Sequence, residues 1–106
     1  METKNVVVVG AGPAGMMAAI RASSLGSAVT LVEKNPTLGK KLLLSGKGRC
    51  NLTNACDLES FLKRFSHNGA FVSDAFKKCF NRDLMDFFET RGLTLRVERQ
   101  QRPEGV

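Results

Sequence analysis

The chain has 106 residues, 42% of them hydrophobic and 25% charged, with a formal net charge of +6. That length fits one domain at most, and the balance is that of a globular chain rather than a disordered one. The basic excess suits phosphate-bearing ligands, anionic lipid or nucleic acid, but no base-reading motif or interleaved aromatic platform accompanies it, so nucleic acid is not an expected partner.

Asn5–Val9 is a β-branched run of the kind found in central parallel strands, which predicts a strand buried on both faces. Glycines at 10, 12 and 15 interrupt it. Pro13 to Leu25 then reads as a helix, with Ala14, Met17, Ala18 and Ala22/Leu25 at helical spacings and Gly26 as its C-terminal cap. Ala28 to Val32 is a second short strand, and the whole is the size of one βαβ unit. Residues 33–56 form a polar, glycine- and lysine-rich stretch with Leu42 to Leu44 as its apolar island. It reads as a structured, ligand-facing loop with a turn of helix at its start; a solvated linker is the alternative.

From residue 57 the pattern is helical. Asp57 is placed to cap a helix carrying Leu58, Phe61, Leu62 and Phe65, Ser73 one with Phe76, Cys79 and Phe80, and Asn81 one with Leu84, Phe87 and Phe88 that ends at Gly92. All seven phenylalanines lie beyond position 60 and read as a helical core. Thr94 to Val97 alternates like a strand, and residues 100–106 form a polar tail. The expected organisation is therefore α/β: a partial Rossmann-like βαβ unit at 1–33, a glycine-rich loop at 34–56, a helical segment with a strand at 57–99, and the tail.

Three cysteines, Cys50, Cys56 and Cys79, without a Cys-x-x-Cys pair or a histidine cluster, indicate neither a disulfide framework nor a metal site. Free thiols suit a reducing, cytoplasmic setting. The apolar run at Val6–Val9 is too short for a membrane span, and it leads into glycines rather than a signal-peptide cleavage site.

Gly10-Ala11-Gly12-Pro13-Ala14-Gly15 matches G-x-G-x-x-G with a strand before it, a helix after it and an acid, Glu33, at the end of the next strand. Gly10 permits the tight turn, Gly12 lets a pyrophosphate approach the backbone, and Gly15 lets helix and strand pack closely. The helix N-terminus offers free N–H groups and partial positive charge, and Pro13 costs little where an N–H has no helical partner anyway. Glu33 is placed to accept hydrogen bonds from ribose hydroxyls and repels a 2′-phosphate, which disfavours NADP. A plain loop glutamate beside an unrelated glycine turn is the alternative. Ser45-Gly-Lys-Gly48 is not a P-loop: six residues separate Gly39 from Gly46, and glycine rather than Ser or Thr follows Lys47.

The run Ser-Gly-Lys-Gly-Arg-Cys-Asn-Leu-Thr-Asn at 45–54, with the Asp-Phe-Phe-Glu-x-Arg-Gly helix end and Arg-Val-Glu-Arg at 96–99, resembles the BaiN/YhiN-like NAD(P)/FAD-dependent oxidoreductases, which are related to aminoacetone oxidase. The resemblance covers roughly residues 4 to 99 and implies FAD as the cofactor. It implies that the turn at Gly10, Ala11, Gly12, Pro13, Ala14 and Gly15 cradles the pyrophosphate and that Glu33 holds the adenosine ribose. Lys34, Gly39, Lys40 and Lys41 then lie near the adenosine and pyrophosphate. Ser45, Gly46, Gly48, Arg49, Cys50, Asn51 and Thr53 run along the FAD, with Arg49, Cys50 and Asn51 nearest its reactive half.

No catalytic residue is assigned. Cys50 reads first as a packed thiol and His67 as a surface loop residue. Members of the family are several times longer, so the chain is expected to be the FAD-binding portion of a flavoprotein, not catalytic alone, marginally stable or aggregation-prone when isolated, its whole parent using NAD(P)H or a small-molecule substrate. Two other readings stay open: an NAD-binding domain of a dehydrogenase, and a non-enzymatic basic remnant.

Overall fold

The computed structural model describes residues 2–45 and 50–98. The chain divides into two compact units, residues 1–51 and 52–106.

In the first unit, β1 (Asn5–Val9) pairs in parallel with β2 (Ala28–Val32), in a register that sets Val6 against Val29 and Val8 against Leu31. Helix α1 (Pro13–Ser24) makes the crossover, so the three elements form the expected βαβ unit. Its C-terminus is closed by Gly26, at φ +93°, with Ser27 N–H donating to the Ala22 carbonyl at 3.1 Å. Helix α2 (Lys40–Leu44) lies well inside the glycine-rich stretch, not at its start.

Two expectations about this unit are corrected. The strand is not buried on both faces: α1 covers the side of Val6 and Val8, whereas Val7 is 64% and Val9 83% exposed. The inward face of α1 is Gly15, Met16, Ala19 and Ala22, with Met17 half-buried, while Ala14, Ala18 and Leu25 are exposed. Alanine at so many positions left the helix direction ambiguous. The close approach at Gly15 fixes it, because a Cβ there would strike the Gly10 carbonyl oxygen and lie 3.5 Å from Val8 Cγ1.

The second unit is helical: α3 (Leu58–Lys63), a 3₁₀ turn at Ser66–Asn68, α4 (Gly69–Lys78) and α5 (Asn81–Glu89). Asp57 caps α3 as expected, its Oδ1 accepting from Ser60 N–H at 2.9 Å and its Oδ2 from Ser60 Oγ at 2.8 Å. The next two helices begin differently from expectation. Ser73 lies inside α4, which starts at Gly69, where a Cβ would come within 2.7 Å of the Leu62 carbonyl oxygen. Asn81 is the first residue of α5 rather than its cap; the preceding amide, Phe80 N–H, is met by Asp83 Oδ2 at 2.8 Å.

Freed from capping, Asn81 is buried and its Nδ2 donates to the carbonyls of Asn54, at 2.8 Å, and Cys56, at 2.7 Å. Both acceptors are carbonyls, so the amide can face them only with its nitrogen. The bonds fasten the segment before α3 to the start of α5.

Phe61, Phe65, Phe76 and Phe80 form the core, with Phe61 at 4.9 Å from Phe76 and 5.2 Å from Phe80, both edge-to-face. Phe87 and Phe88 make a second edge-to-face pair, with the Arg91 guanidinium 3.8 Å above the Phe87 ring. Phe71 and Cys79, read as core, are exposed. Residues 93–98 are in neither helix nor strand. The alternation of Thr94 to Val97 satisfies one requirement of a strand, but a strand also needs a neighbour to bond. The tail from residue 99 lies outside the described residues.

Candidate functional site

The glycine turn lies between the C-terminal end of β1 and the start of α1. Gly10 continues the sheet ladder, its N–H donating to the Val32 carbonyl at 2.7 Å, and takes φ +96°, which a side chain would resist. Gly12 is the residue before α1, in extended conformation, and a Cβ on it would meet nothing within 4 Å. The three glycines therefore do three different jobs: Gly10 turns the chain, Gly15 admits the helix against the strand, and Gly12 faces open space.

The first bond of α1 runs from Met16 N–H to the Gly12 carbonyl at 2.9 Å. The Ala14 and Gly15 amides precede it and point out of the helix start, where Pro13 contributes no donor. With no acidic residue in this first turn, the end of α1 is an anion-favouring terminus.

Ala11, between the first two glycines, is fully buried. Its N–H donates to Glu33 Oε1 at 3.0 Å, and its carbonyl accepts from Gly39 N–H at 2.8 Å. Glu33 Oε2 accepts from Asn35 N–H at 2.7 Å. The Asn35 amide first, then that of Ala11, hold the carboxyl of Glu33 below its ordinary value, with a smaller contribution from the charge of Lys34. Gly39 takes φ +64°, and a Cβ there would come within 3.3 Å of Met16 Cε.

Gly10, Ala11, Gly12, Pro13, Ala14, Gly15, Glu33 and Gly39 are thus brought together. Lys34, Lys40 and Lys41 are exposed beside them in sequence, and Lys40 lines a groove of about 340 Å³ with Asn35, Pro36, Thr37, Leu43 and Leu44. Asn35, Pro36, Thr37, Leu43 and Leu44 are not in the expected site set. The Asn-Pro step after the acid is a turn signal that could have flagged them. Ser45 Oγ is turned onto the Leu42 carbonyl at 2.8 Å, and Cys50 and Asn51 are exposed. Thr53 belongs to the second unit. Gly46, Gly48 and Arg49 lie outside the described residues. His67 is exposed in the 3₁₀ turn, as expected of a surface residue. Among the described residues there is no cluster able to hold a metal, and no helix is long and apolar enough to cross a membrane.

A parallel βαβ unit with an open glycine at the helix start and a carboxylate at the end of the second strand defines a Rossmann-type dinucleotide-binding unit. The chain belongs to the HI0933-like protein Rossmann domain family, whose pattern it matches over residues 4–103. It is 35% identical over 89 residues to the ribosomal RNA dihydrouridine synthase of Haemophilus influenzae, a match covering 83% of this chain and 21% of the relative. It is 33% identical over 94 residues to the Escherichia coli protein of the same name, 88% and 23% of the two chains. With the 3-dehydro-bile acid delta(4,6)-reductase of Clostridium scindens it shares 36% over 89 residues, 81% and 21%. The chain spans about a fifth of the length of these relatives. The resemblance read from residues 45–54 thus holds, and FAD is the dinucleotide that goes with a flavoprotein oxidoreductase of this family.

Proposed function

We propose that this chain is the FAD-binding portion of a flavoprotein oxidoreductase and that its first unit holds the ADP half of the cofactor. The open face of Gly12 carries the reading: a pyrophosphate can reach the Ala14 and Gly15 amides there without meeting a side chain. Glu33 keeps lone pairs for ribose hydroxyls after accepting from Ala11 and Asn35. Its negative charge stands against a 2′-phosphate. Lys34, Lys40 and Lys41 add positive charge along the adenosine side. Bound FAD supplies hydride transfer at its isoalloxazine, and the chain's part is to bind and orient it. A reducing cytoplasmic location belongs to the same reading and rests on three cysteines that form no disulfide.

The test is the absorbance spectrum from 300 to 550 nm of the gel-filtered chain before and after FAD is added. Flavin bands that co-elute with protein support the reading, whereas colourless protein that retains NAD would replace it with the dehydrogenase alternative. Gly12→Val sharpens the result. The new side chain has room in the fold and costs at most about 1 kcal/mol at a helix cap. Nucleotide affinity should nevertheless fall at least about 100-fold, because the valine occupies the pyrophosphate path.

A second reading concerns the substrate of a longer parent. Two relatives are named for ribosomal RNA, which with the net charge of +6 runs against the expectation that nucleic acid plays no part. The third is named as a bile acid reductase, which fits a small-molecule substrate. Preference for ribosomal RNA over an unrelated RNA of equal length would favour the first, because attraction by charge alone shows no sequence preference and falls steeply with added salt; no RNA binding even at low salt would favour the second.

A further inference from the structure

We propose that Glu33 is a positioning residue for the phosphate-binding turn: with the Gly39 amide it holds both peptide groups of Ala11, independently of any contact with ribose. The inference rests on the nucleotide-binding reading above and adds a second task to the same carboxylate.

Ala11 is the one fully buried residue of the turn. Its peptide groups fall between the sheet ladder, which ends with Gly10 N–H on the Val32 carbonyl, and the helix, whose first bond uses the Gly12 carbonyl. Buried backbone groups must be paired. The two partners here come from a distant part of the chain, Glu33 Oε1 for the N–H and Gly39 N–H for the carbonyl.

The brace is itself anchored. Glu33 Oε2 is held by Asn35 N–H at 2.7 Å, so the carboxylate spans two amides and cannot swing away without releasing both. Only an ionised carboxylate accepts at both ends; a glutamine of the same shape would turn an NH₂ toward one of the two donors. Whatever fixes the Ala11 peptide fixes the flanking Gly10 and Gly12, and hence the approach to the amides of α1.

The experiment compares ADP with 2′,3′-dideoxy-ADP, which offers no ribose hydroxyls, on the whole 106-residue chain as wild type, Glu33→Gln and Glu33→Asp. A brace predicts that Glu33→Gln weakens dideoxy-ADP roughly tenfold or more, and ADP at least as much, since ADP loses the ribose contact as well. Glu33→Asp keeps the charge and the near bond to Asn35 but falls a methylene short of Ala11, and should also weaken both. A loss confined to ADP, with dideoxy-ADP unaffected, overturns the proposal and leaves Glu33 as a ribose ligand alone.

Amide hydrogen exchange in the nucleotide-free chain decides the same point without ligand. The Ala11 N–H should exchange at least tenfold faster in Glu33→Gln while the amides of β1 and β2 keep their rates. Unchanged exchange at Ala11, or exchange rising equally along β1, overturns it. Should neither nucleotide bind the wild type, the nucleotide-binding reading fails and the exchange result still decides the brace.

Discussion

The two units are held together in different ways. In residues 1–51 the most deeply buried places are a turn and small residues: Ala11, Ala19 and Gly39 are buried, while Val7 and Val9 stand exposed on the sheet. Directional bonds give this unit its definition, from Gly10 to Val32, Ala11 to Glu33 and Gly39 to Ala11. In residues 52–106 the centre is four phenylalanine rings in mutual contact, and the main polar fastening is the Asn81 side chain. Packed rings tolerate small displacements because dispersion is non-directional and summed over many atoms. A turn held by hydrogen bonds cannot, since these weaken steeply with angle. The first unit is built for geometry and the second for burial.

The contrast can be broken most severely at Gly15. Gly15→Val drives a side chain into the Gly10 carbonyl and should cost about 3 kcal/mol or more, at the upper end of overpacking. Hydrogen exchange should show β1 and β2 losing protection while α3 to α5 keep theirs; equal loss in both would mean the units do not fold independently. Next in size is Phe61→Ala, which removes the ring shared by three aromatic contacts. Phe61 is half-buried, so about 2 kcal/mol is expected by urea denaturation, below the ~3–5 kcal/mol of a fully buried phenylalanine. Nucleotide affinity should be untouched by it.

Asn81→Ala leaves the Asn54 and Cys56 carbonyls without their donor and should cost about 1–3 kcal/mol. The same measurement checks whether one side chain can matter as much to the second unit as a ring does. The smallest effect is with pH. Glu33 and Asp57 are both held below their ordinary values of 4.5 and 3.8 by amides that donate to the ionised form, Asn35 then Ala11 for the first and Ser60 for the second. Stability from these bonds is full above the ordinary values, begins to fall as pH drops below them, and is gone once the folded-state carboxyls are protonated. Thermal melts between pH 7 and pH 3 should therefore be flat down to about 4.5 and decline below. Glu33→Gln should remove the Glu33 part of that decline.

Much of this was legible in the sequence. The glycine spacing, the flanking strands and the acid at 33 specified the βαβ unit because each rests on local steric or periodic rules, and Asp57 and Gly26 cap helices as their residue types require. The motif at 45–54 identified the family. What was not legible followed from packing. The alanine-rich α1 offers several apolar stripes of nearly equal strength, and only the contact at Gly15 chooses among them. Asn81 and Ser73 are good capping residues in isolation, but tertiary demands placed one against two carbonyls and the other within a helix.

The sequence by itself determined the dinucleotide-binding class and the positions of its glycines, since a residue without a side chain is needed wherever the chain turns through positive φ or admits a close neighbour. Only the tertiary structure decided that the Glu33 carboxylate turns back onto the Ala11 amide, and that Gly39 closes on Ala11 from 28 positions away. Those bonds join residues distant in the chain, and no local propensity encodes which buried amide will find which acceptor.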